Sequence, residues 1–393
     1  MNKYIRWIGA AAIVLIWALL TVFAWFGGDE AYSISERRDL LQWPGDPDKN
    51  GYSDVCDKDW PGLTADTLMD TTFMQAFEDY TTEQFPLRDR FRQIKALFHY
   101  NALLQKDNNN IYVVDGYAAQ MDTFTDTNKL TATLMTFNRL YEQRLKDAGC
   151  NIYTAIVPDK NYYLAPEYGY LSMDYELMMS MIHEKMPWSQ HVDLTGCLTY
   201  KDYYFTDTHW RQENLIPVAQ KLAEAMGNTL PQLSDYQKEL IDAPFYGVHY
   251  GHAALPMDPE TIYVLNNDLL KACTVTYQDK TGKTVQFQGV YDYGRITTSA
   301  DLYDLFLSGE FGVITIENPN AATDKELYIF RDSFGRSLTP LLLQDYSKVT
   351  LVDPRWARTI WMDNEMNPLY NLKEGDDVLF LYSTAVLNSD GIV

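Results

Sequence analysis

Cysteine and histidine are scarce, at four and six in 393 residues. Cys56, Cys150, Cys197 and Cys273 stand far apart with no C-x-x-C spacing, which excludes the common zinc and dithiol motifs. Two disulfides in any of three connectivities, or buried free thiols, both fit that spacing. Positive charge is in deficit: 32 basic residues face 54 acidic ones, a net charge of −22. Nucleic acid and anionic membrane surfaces are therefore poor partners. A solvated acidic surface accounts for the excess and says little about substrate. Internal repeats and low-complexity tracts are missing as well, which excludes a solenoid.

One long apolar run is present. Trp7 to Phe26 is uncharged, and about 20 such residues at about 1.5 Å each cross a bilayer core of about 30 Å. Lys3 and Arg6 precede it and Asp29 and Glu30 follow, so the positive-inside rule places the N-terminus in the cytoplasm and the rest outside. A cleavable signal peptide competes with this reading, but its apolar core is shorter and no A-x-A-like site follows Phe26. The expectation is an uncleaved, single-pass anchor. The chain is also rich in aromatics, with 29 Tyr and 9 Trp. Most belong to core or interfaces, and exposed ones lend weak support to a carbohydrate ligand.

Three divisions are expected: 1–28, a cytoplasmic tip and transmembrane anchor; 29–105, a linker and helical segment; and 106–393, an α/β domain with an insertion at about 228–325. The linker reaches about residue 62. Leu68, Phe73, Phe77 and Tyr80, then Phe91, Ile94, Leu97, Phe98 and Leu104, mark helices broken at Pro86. From 111 the pattern alternates: strand Ile111 to Val114, a turn at Asp115-Gly116, a helix over 128–147, strand Asn151 to Val157, a helix over 175–187, a short strand at 192–194 and a helix over 214–226. Strand, crossover helix, strand is the signature of a parallel sheet with helices on its faces. Within the irregular insertion, Asp279 to Lys283 is turn chemistry between two strand-like runs, which predicts a β-hairpin.

Leu327 to Trp356 reads as strand, sharp turn, helix, strand, with Ser333 at the turn. A serine there sits at the carboxyl edge of a sheet, beside the N–H groups of a helix start. It needs a base to act as nucleophile. Asp207 and His209, in TDTHW, are the candidate orienting acid and base. Trp210 is either a wall of the site or packing. A metal site is not expected: His249-Tyr250-Gly251-His252 lacks the i, i+4 helical placement of zinc helices and reads as an exposed loop, and Asp207 with His209 has no third ligand nearby. His99, His183 and His191 read as ordinary helical or loop residues.

These residues resemble the DHHW proteins and the related alginate O-acetylation proteins, whose catalytic domain is SGNH-hydrolase-like. The resemblance rests on Glu36-Arg37-Arg38-Asp39-Leu40 to Pro44, on Glu83-Gln84-Phe85-Pro86-Leu87-Arg88-Asp89, on Pro158-Asp159-Lys160, on Asp207-Thr208-His209-Trp210, and on Arg331-Asp332-Ser333-Phe334-Gly335. It covers roughly residues 36–390. Thr208 departs from the family's histidine, and the insertion carries none of its motifs.

The resemblance implies a Ser333, His209, Asp207 triad working on acetyl esters of a cell-surface polysaccharide. Ser333 and Gly335 N–H groups are implied as oxyanion donors, and Lys160, Arg355 and Trp210 as further candidates at the site. An ion pair is the alternative for Arg355. No cofactor is implied; a membrane-bound acyl-donor partner is. Transfer and hydrolysis stay equally open, and a non-catalytic scaffold for a polysaccharide machine is the alternative function.

Overall fold

The computed structural model describes residues 3–26, 28–42, 64–279 and 281–389. Pro44 and Cys56 lie outside them. The chain divides into two compact units, Met1–Asn108 with Tyr250–Pro256, and Asn109–His249 with Met257–Val393.

In the first unit, Lys3–Phe26 forms one helix, and its large apolar side chains, Trp7, Ile8, Ile13 and Leu15 among them, are exposed. Side chains are described over 7–23 of it. Among the described residues, no helix is long and apolar enough to cross a membrane, so the anchor rests on the sequence alone. Strands β1 (Tyr32–Ser33) and β2 (Arg38–Asp39) pair antiparallel. Helices Thr72–Glu83 and Arg88–Asn101 meet at the Pro86 break.

An ion cluster ties these pieces together. The Glu36 carboxylate receives Arg88, Arg92 at 3.0 Å and Arg38 at 3.3 Å. Glu83 receives Arg38 at 2.7 Å and the Leu41 N–H at 2.7 Å. Two of the stretches that carry the family resemblance thus hold each other.

The second unit is built on an eight-stranded sheet. The strands of this unit, in chain order, are β3 (Ile111–Val114), β4 (Tyr117–Gln120), β5 (Asn151–Val157), β6 (Gln190–Val192), β7 (Gln237–Phe245), β8 (Glu260–Asn266), β9 (Thr274–Gln278), β10 (Thr284–Gln288), β11 (Val313–Glu317), β12 (Lys325–Arg331), β13 (Tyr346–Val352) and β14 (Asp377–Ser383); β3 with β4 and β7 with β8 form separate pairs. The sheet order is β10-β9-β11-β13-β12-β14-β5-β6. From β13 to β6 all pairings are parallel.

Parallel strands are covered on both faces and so read as apolar runs. β14 is buried throughout, and the pleat sorts its side chains. Leu327, Ile329, Leu379 and Leu381 face Val218 and Leu222 of helix Ile216–Met226. Tyr328, Phe330, Val378 and Phe380 face Leu130, Leu134 and Phe137 of helix Thr127–Leu140, and Met178 and Ile182 of helix Tyr175–Lys185. Burying one such leucine contributes about 1.5–3 kcal/mol.

Several expectations change. The helix predicted over 128–147 is α-helical only to Leu140, then widens into a π turn over Tyr141–Leu145. The predicted β-hairpin is present as β9–β10, and β9 also pairs with β11, so the hairpin belongs to the main sheet. The insertion, irregular by sequence, contains a second antiparallel pair, β7–β8. Asp115 and Gly116 both have positive φ, 50° and 81°, the geometry of a tight two-residue hairpin between β3 and β4. Cys150, Cys197 and Cys273 are free thiols.

Candidate active site

Ser333 follows the carboxyl end of β12, in a turn held by its neighbour. The fully buried Asp332 accepts the Phe334 N–H on Oδ1 at 3.0 Å and the Ser383 N–H, at the end of β14, on Oδ2 at 2.7 Å. The turn then tightens into a single α turn, Gly335–Leu338, and a 3₁₀ stretch, Thr339–Asp345, with Pro340 at its start. A Cβ on Gly335 would stand 2.9 Å from Arg331 Cβ, so the close return of the chain requires glycine. Ser333 itself is half-buried.

The loop bearing Asp207 and His209 is clamped at its base. Tyr203 and Trp210 form an antiparallel bridge, and the Tyr204 N–H donates to the His209 carbonyl at 3.0 Å. Glu260, the first residue of β8, accepts the N–H groups of Phe205 at 3.0 Å and Thr206 at 2.6 Å, the Thr206 hydroxyl, and Arg211 Nη2 at 2.6 Å. Lys160, buried at the start of helix Lys160–Tyr168 just beyond β5, donates to the Tyr204 carbonyl at 2.8 Å. Burial pushes its ammonium down to about 7, against the pull of Glu260 and Asp207. From the other side, Val248 N–H donates to Asp207 Oδ2 at 2.8 Å. That approach needs Gly247, whose Cβ would fall 2.3 Å from Asp207 Cα.

Within this frame the three residues are in line. His209 Nδ1 lies 2.6 Å from Asp207 Oδ1, and His209 Nε2 lies 2.7 Å from Ser333 Oγ. The Asp207 oxygens also accept the N–H groups of His209 and Val248. A carboxylate so placed is an acceptor, so Nδ1 carries the proton and Nε2 is left to accept from the serine hydroxyl. Asp207 is fully buried and His209 is 6% exposed. The imidazole lies between Tyr303, nearly parallel to it, and Phe334, whose ring centroid is 4.9 Å away.

Trp210 is fully buried. Its Nε1 donates to Ser337 Oγ at 2.9 Å, and Tyr303 OH donates to the same oxygen at 2.7 Å. It packs behind the site rather than facing a ligand. Arg355 chelates Asp353 through Nε and Nη2 at 2.8 and 2.7 Å, the ion-pair alternative. The Gly335 N–H donates to the Asp332 carbonyl at 3.2 Å and is committed to the turn. Ser333 N–H has no partner among the described residues and is the donor left for an oxyanion.

His249 is buried and His252 exposed, on the short helix Val248–Ala253. The expected exposed loop is replaced because Gly247 and Val248 are drawn onto the Asp207 loop. Among the described residues, no group of three or more His, Cys, Asp or Glu side chains is placed to hold a metal ion.

Sequence reasoning missed Glu260, Val248, Asp332 and Tyr303. Asp332 adjoins the serine in the motif and was within reach. The other three lie in the insertion and carry no local signal.

No family model matches the sequence, and no curated protein does. Solved structures do. A DHHW family protein from Eubacterium siraeum DSM 15702 is 21% identical, with a TM-score of 0.59 over 73% of this chain and 95% of that one. Bacillus cereus PatB1 with a sulfonyl adduct is 18% identical, with a TM-score of 0.58 over 72% of this chain and 97% of its own. The O-acetyltransferase domain of Pseudomonas putida AlgJ stands further off, at 15% identity and a TM-score of 0.40. The chain shares its fold with the DHHW family protein and with PatB1.

Proposed function

We propose that this chain is a serine-dependent, SGNH-like acyl enzyme that transfers or hydrolyses acetyl groups on a cell-surface glycan. The observation that carries the reading is the continuous contact from Asp207 through His209 to Ser333, at 2.6 and 2.7 Å. A scaffold that merely kept the fold has no need of those distances. As Ser333 Oγ bonds the ester carbonyl carbon, its proton passes to His209 Nε2, and the buried Asp207 stabilises the imidazolium. The carbonyl oxygen, now an anion, turns toward the Ser333 N–H. His209 returns the proton to the leaving alkoxide, and an acyl-serine remains.

The acetyl group and the glycan are supported by the resemblance. An extracytoplasmic location is supported by the apolar run Trp7 to Phe26, its flanking charges and its exposed side chains. An acyl-donor partner in the membrane completes the reading and rests on the resemblance alone.

A sulfonyl fluoride tests the chemistry directly. Incubated with phenylmethylsulfonyl fluoride, the protein gains one sulfonyl group, which peptide mass spectrometry places on Ser333, and Ser333→Ala gains none. Acetyl release from p-nitrophenyl acetate falls to background in the same variant. Full esterase activity in Ser333→Ala would sink the proposal.

A further inference from the structure

The sheet edge continues past the serine. β14 lies between β12 and β5, and the carboxyl ends of β14 and β5 carry a small polar cleft. Gln120, Asp122, Asp159, Lys160, Thr208 and His249 line it. Strands are spaced about 4.8 Å apart, so this cleft stands about one to two strand spacings from Ser333, within the reach of one sugar ring. Ligands of open parallel sheets bind at this edge.

Several lining groups have hydrogen-bonding capacity to spare. Thr208, between Asp207 and His209, is half-buried, and its hydroxyl has no hydrogen-bond partner among the described residues. The half-buried Asp122 accepts Gln120 Nε2 on Oδ1 at 2.9 Å, while its Oδ2 has no partner among the described residues. Lys160 gives one proton to Tyr204 O, and an ammonium has three. Asp159 differs, since its oxygens are taken by Tyr162 N–H, Tyr175 OH and Thr384 Oγ1 at 3.1, 2.8 and 2.7 Å.

Two features restrict the ligand. The cleft encloses about 20 Å³, room for one water or one hydroxyl arm, and opens outward from there. Burial pushes the Asp122 and Asp159 carboxyls up and the Lys160 ammonium down, so an anionic sugar or a phosphate finds no surplus of cation to offset its loss of water in a partly desolvated place. A neutral hydroxyl meets a carboxylate acceptor, an ammonium donor and a threonine that serves as either.

We infer that this cleft is the acceptor subsite, seating an uncharged, hydroxyl-bearing acceptor such as a neutral sugar and setting one of its hydroxyls toward the acyl-serine. The inference rests on Ser333 forming that acyl-enzyme. In the step it serves, the acceptor oxygen bonds the acyl carbon as its proton passes to His209 Nε2. The Ser333 Oγ–acyl bond then breaks and Oγ recovers the proton from His209. One ester is broken and one is made. Water at the acyl carbon instead gives hydrolysis, so a sugar seated in the cleft favours transfer.

Partition of the acyl-enzyme tests this. The full chain is given p-nitrophenyl acetate with methyl α-D-glucopyranoside or with its carboxylate analogue, methyl α-D-glucopyranosiduronate, at equal concentration. Acetylated sugar and free acetate are counted per acyl-enzyme formed, so changes in the acylation rate do not enter. The neutral glycoside is acetylated at least fivefold more than the uronate. Asp122→Asn and Thr208→Val each lower the ratio of transfer to hydrolysis about fivefold, and Thr208→Ser restores it. A ratio unchanged in both variants, or a uronate acetylated as well as the neutral sugar, overturns the subsite while leaving the acyl-serine standing. A wild-type protein with no burst of nitrophenolate and no acetyl on Ser333 overturns the acyl-serine, and the subsite with it.

Discussion

The ring of Tyr303 lies flat on the imidazole of His209, with centroids 3.9 Å apart and planes 12° from parallel. On Tyr303 the Arg336 guanidinium sits 5.0 Å from the ring centroid, and Arg336 is held by Asp304 at 2.8 Å. The insertion therefore supplies a plate that fixes the tilt of the His209 imidazole. An aromatic pair is worth about 0.5–1.5 kcal/mol beyond its buried area. Tyr303→Leu should slow sulfonylation of Ser333 by about 3- to 10-fold, whereas Tyr303→Phe, which keeps the ring, should stay within about twofold of wild type. Stopped-flow labelling of both variants, with their folded fractions measured by near-UV circular dichroism, decides it.

Asp207 accepts three N–H groups with two oxygens. Asparagine has one acceptor oxygen, so Asp207→Asn must turn its NH₂ toward either His209 or the Val248 N–H. Deacetylation should fall by about 10²- to 10⁴-fold, and the buried donor left unmatched should cost about 1–3 kcal/mol in stability. Esterase kinetics and urea unfolding on the same preparation check the two effects. Wild-type kcat in a folded Asp207→Asn protein would remove Asp207 from the mechanism.

Glu260 carries the Asp207 loop on its carboxylate. Glu260→Ala takes from Arg211 its 2.6 Å carboxylate, leaving it Glu213 at 3.8 Å and the Tyr203 carbonyl in a partly buried place, and frees the N–H groups of Phe205 and Thr206. The expected loss is about 3–5 kcal/mol, seen as a lower urea midpoint at unchanged slope. A midpoint equal to wild type would mean that the loop stands without it.

Lys160 gives the protein a pH dependence. Its folded value is pushed down to about 7, mainly by burial, while the unfolded lysine titrates near 10.4. Between these values the unfolded chain binds more protons than the folded one, so unfolding free energy rises with pH. The penalty for the buried ammonium is complete below about 7 and fades as pH climbs toward the unfolded value. Lys160→Met should remove this slope. Urea unfolding of both proteins from pH 6.5 to 9.5, ahead of tyrosine ionisation, measures it; parallel curves would show that Lys160 keeps its proton.

Much of this architecture is legible because it is local. Alternating apolar runs and turn residues mark β5, β12 and β13, and the turn after Phe330 marks Ser333. Asp207 and His209 stand two apart in one loop, and the structure places them in contact with Ser333. What supports them is not local. Glu260 meets Thr206 across 54 residues and Val248 meets Asp207 across 41, through backbone N–H groups that every residue type carries. Gly247 is one of 21 glycines, and only the 2.3 Å approach distinguishes it. Arg355 was open to two readings because its partner, Asp353, belongs to the same turn as the presumed ligand edge.

The clasp of the insertion on the Asp207 loop also bears on how the chain becomes active. His209 and Ser333 are 124 residues apart, and Glu260, Val248 and Tyr303 all come from the stretch between them. Contacts of such separation carry a large loop-closure cost and form late. Helices and the local β3–β4 hairpin can therefore be present while Ser333 still lacks its contact with His209. In refolding from urea, far-UV signal should recover before Ser333 becomes reactive, so reactivity of that one hydroxyl reports completion of the whole second unit.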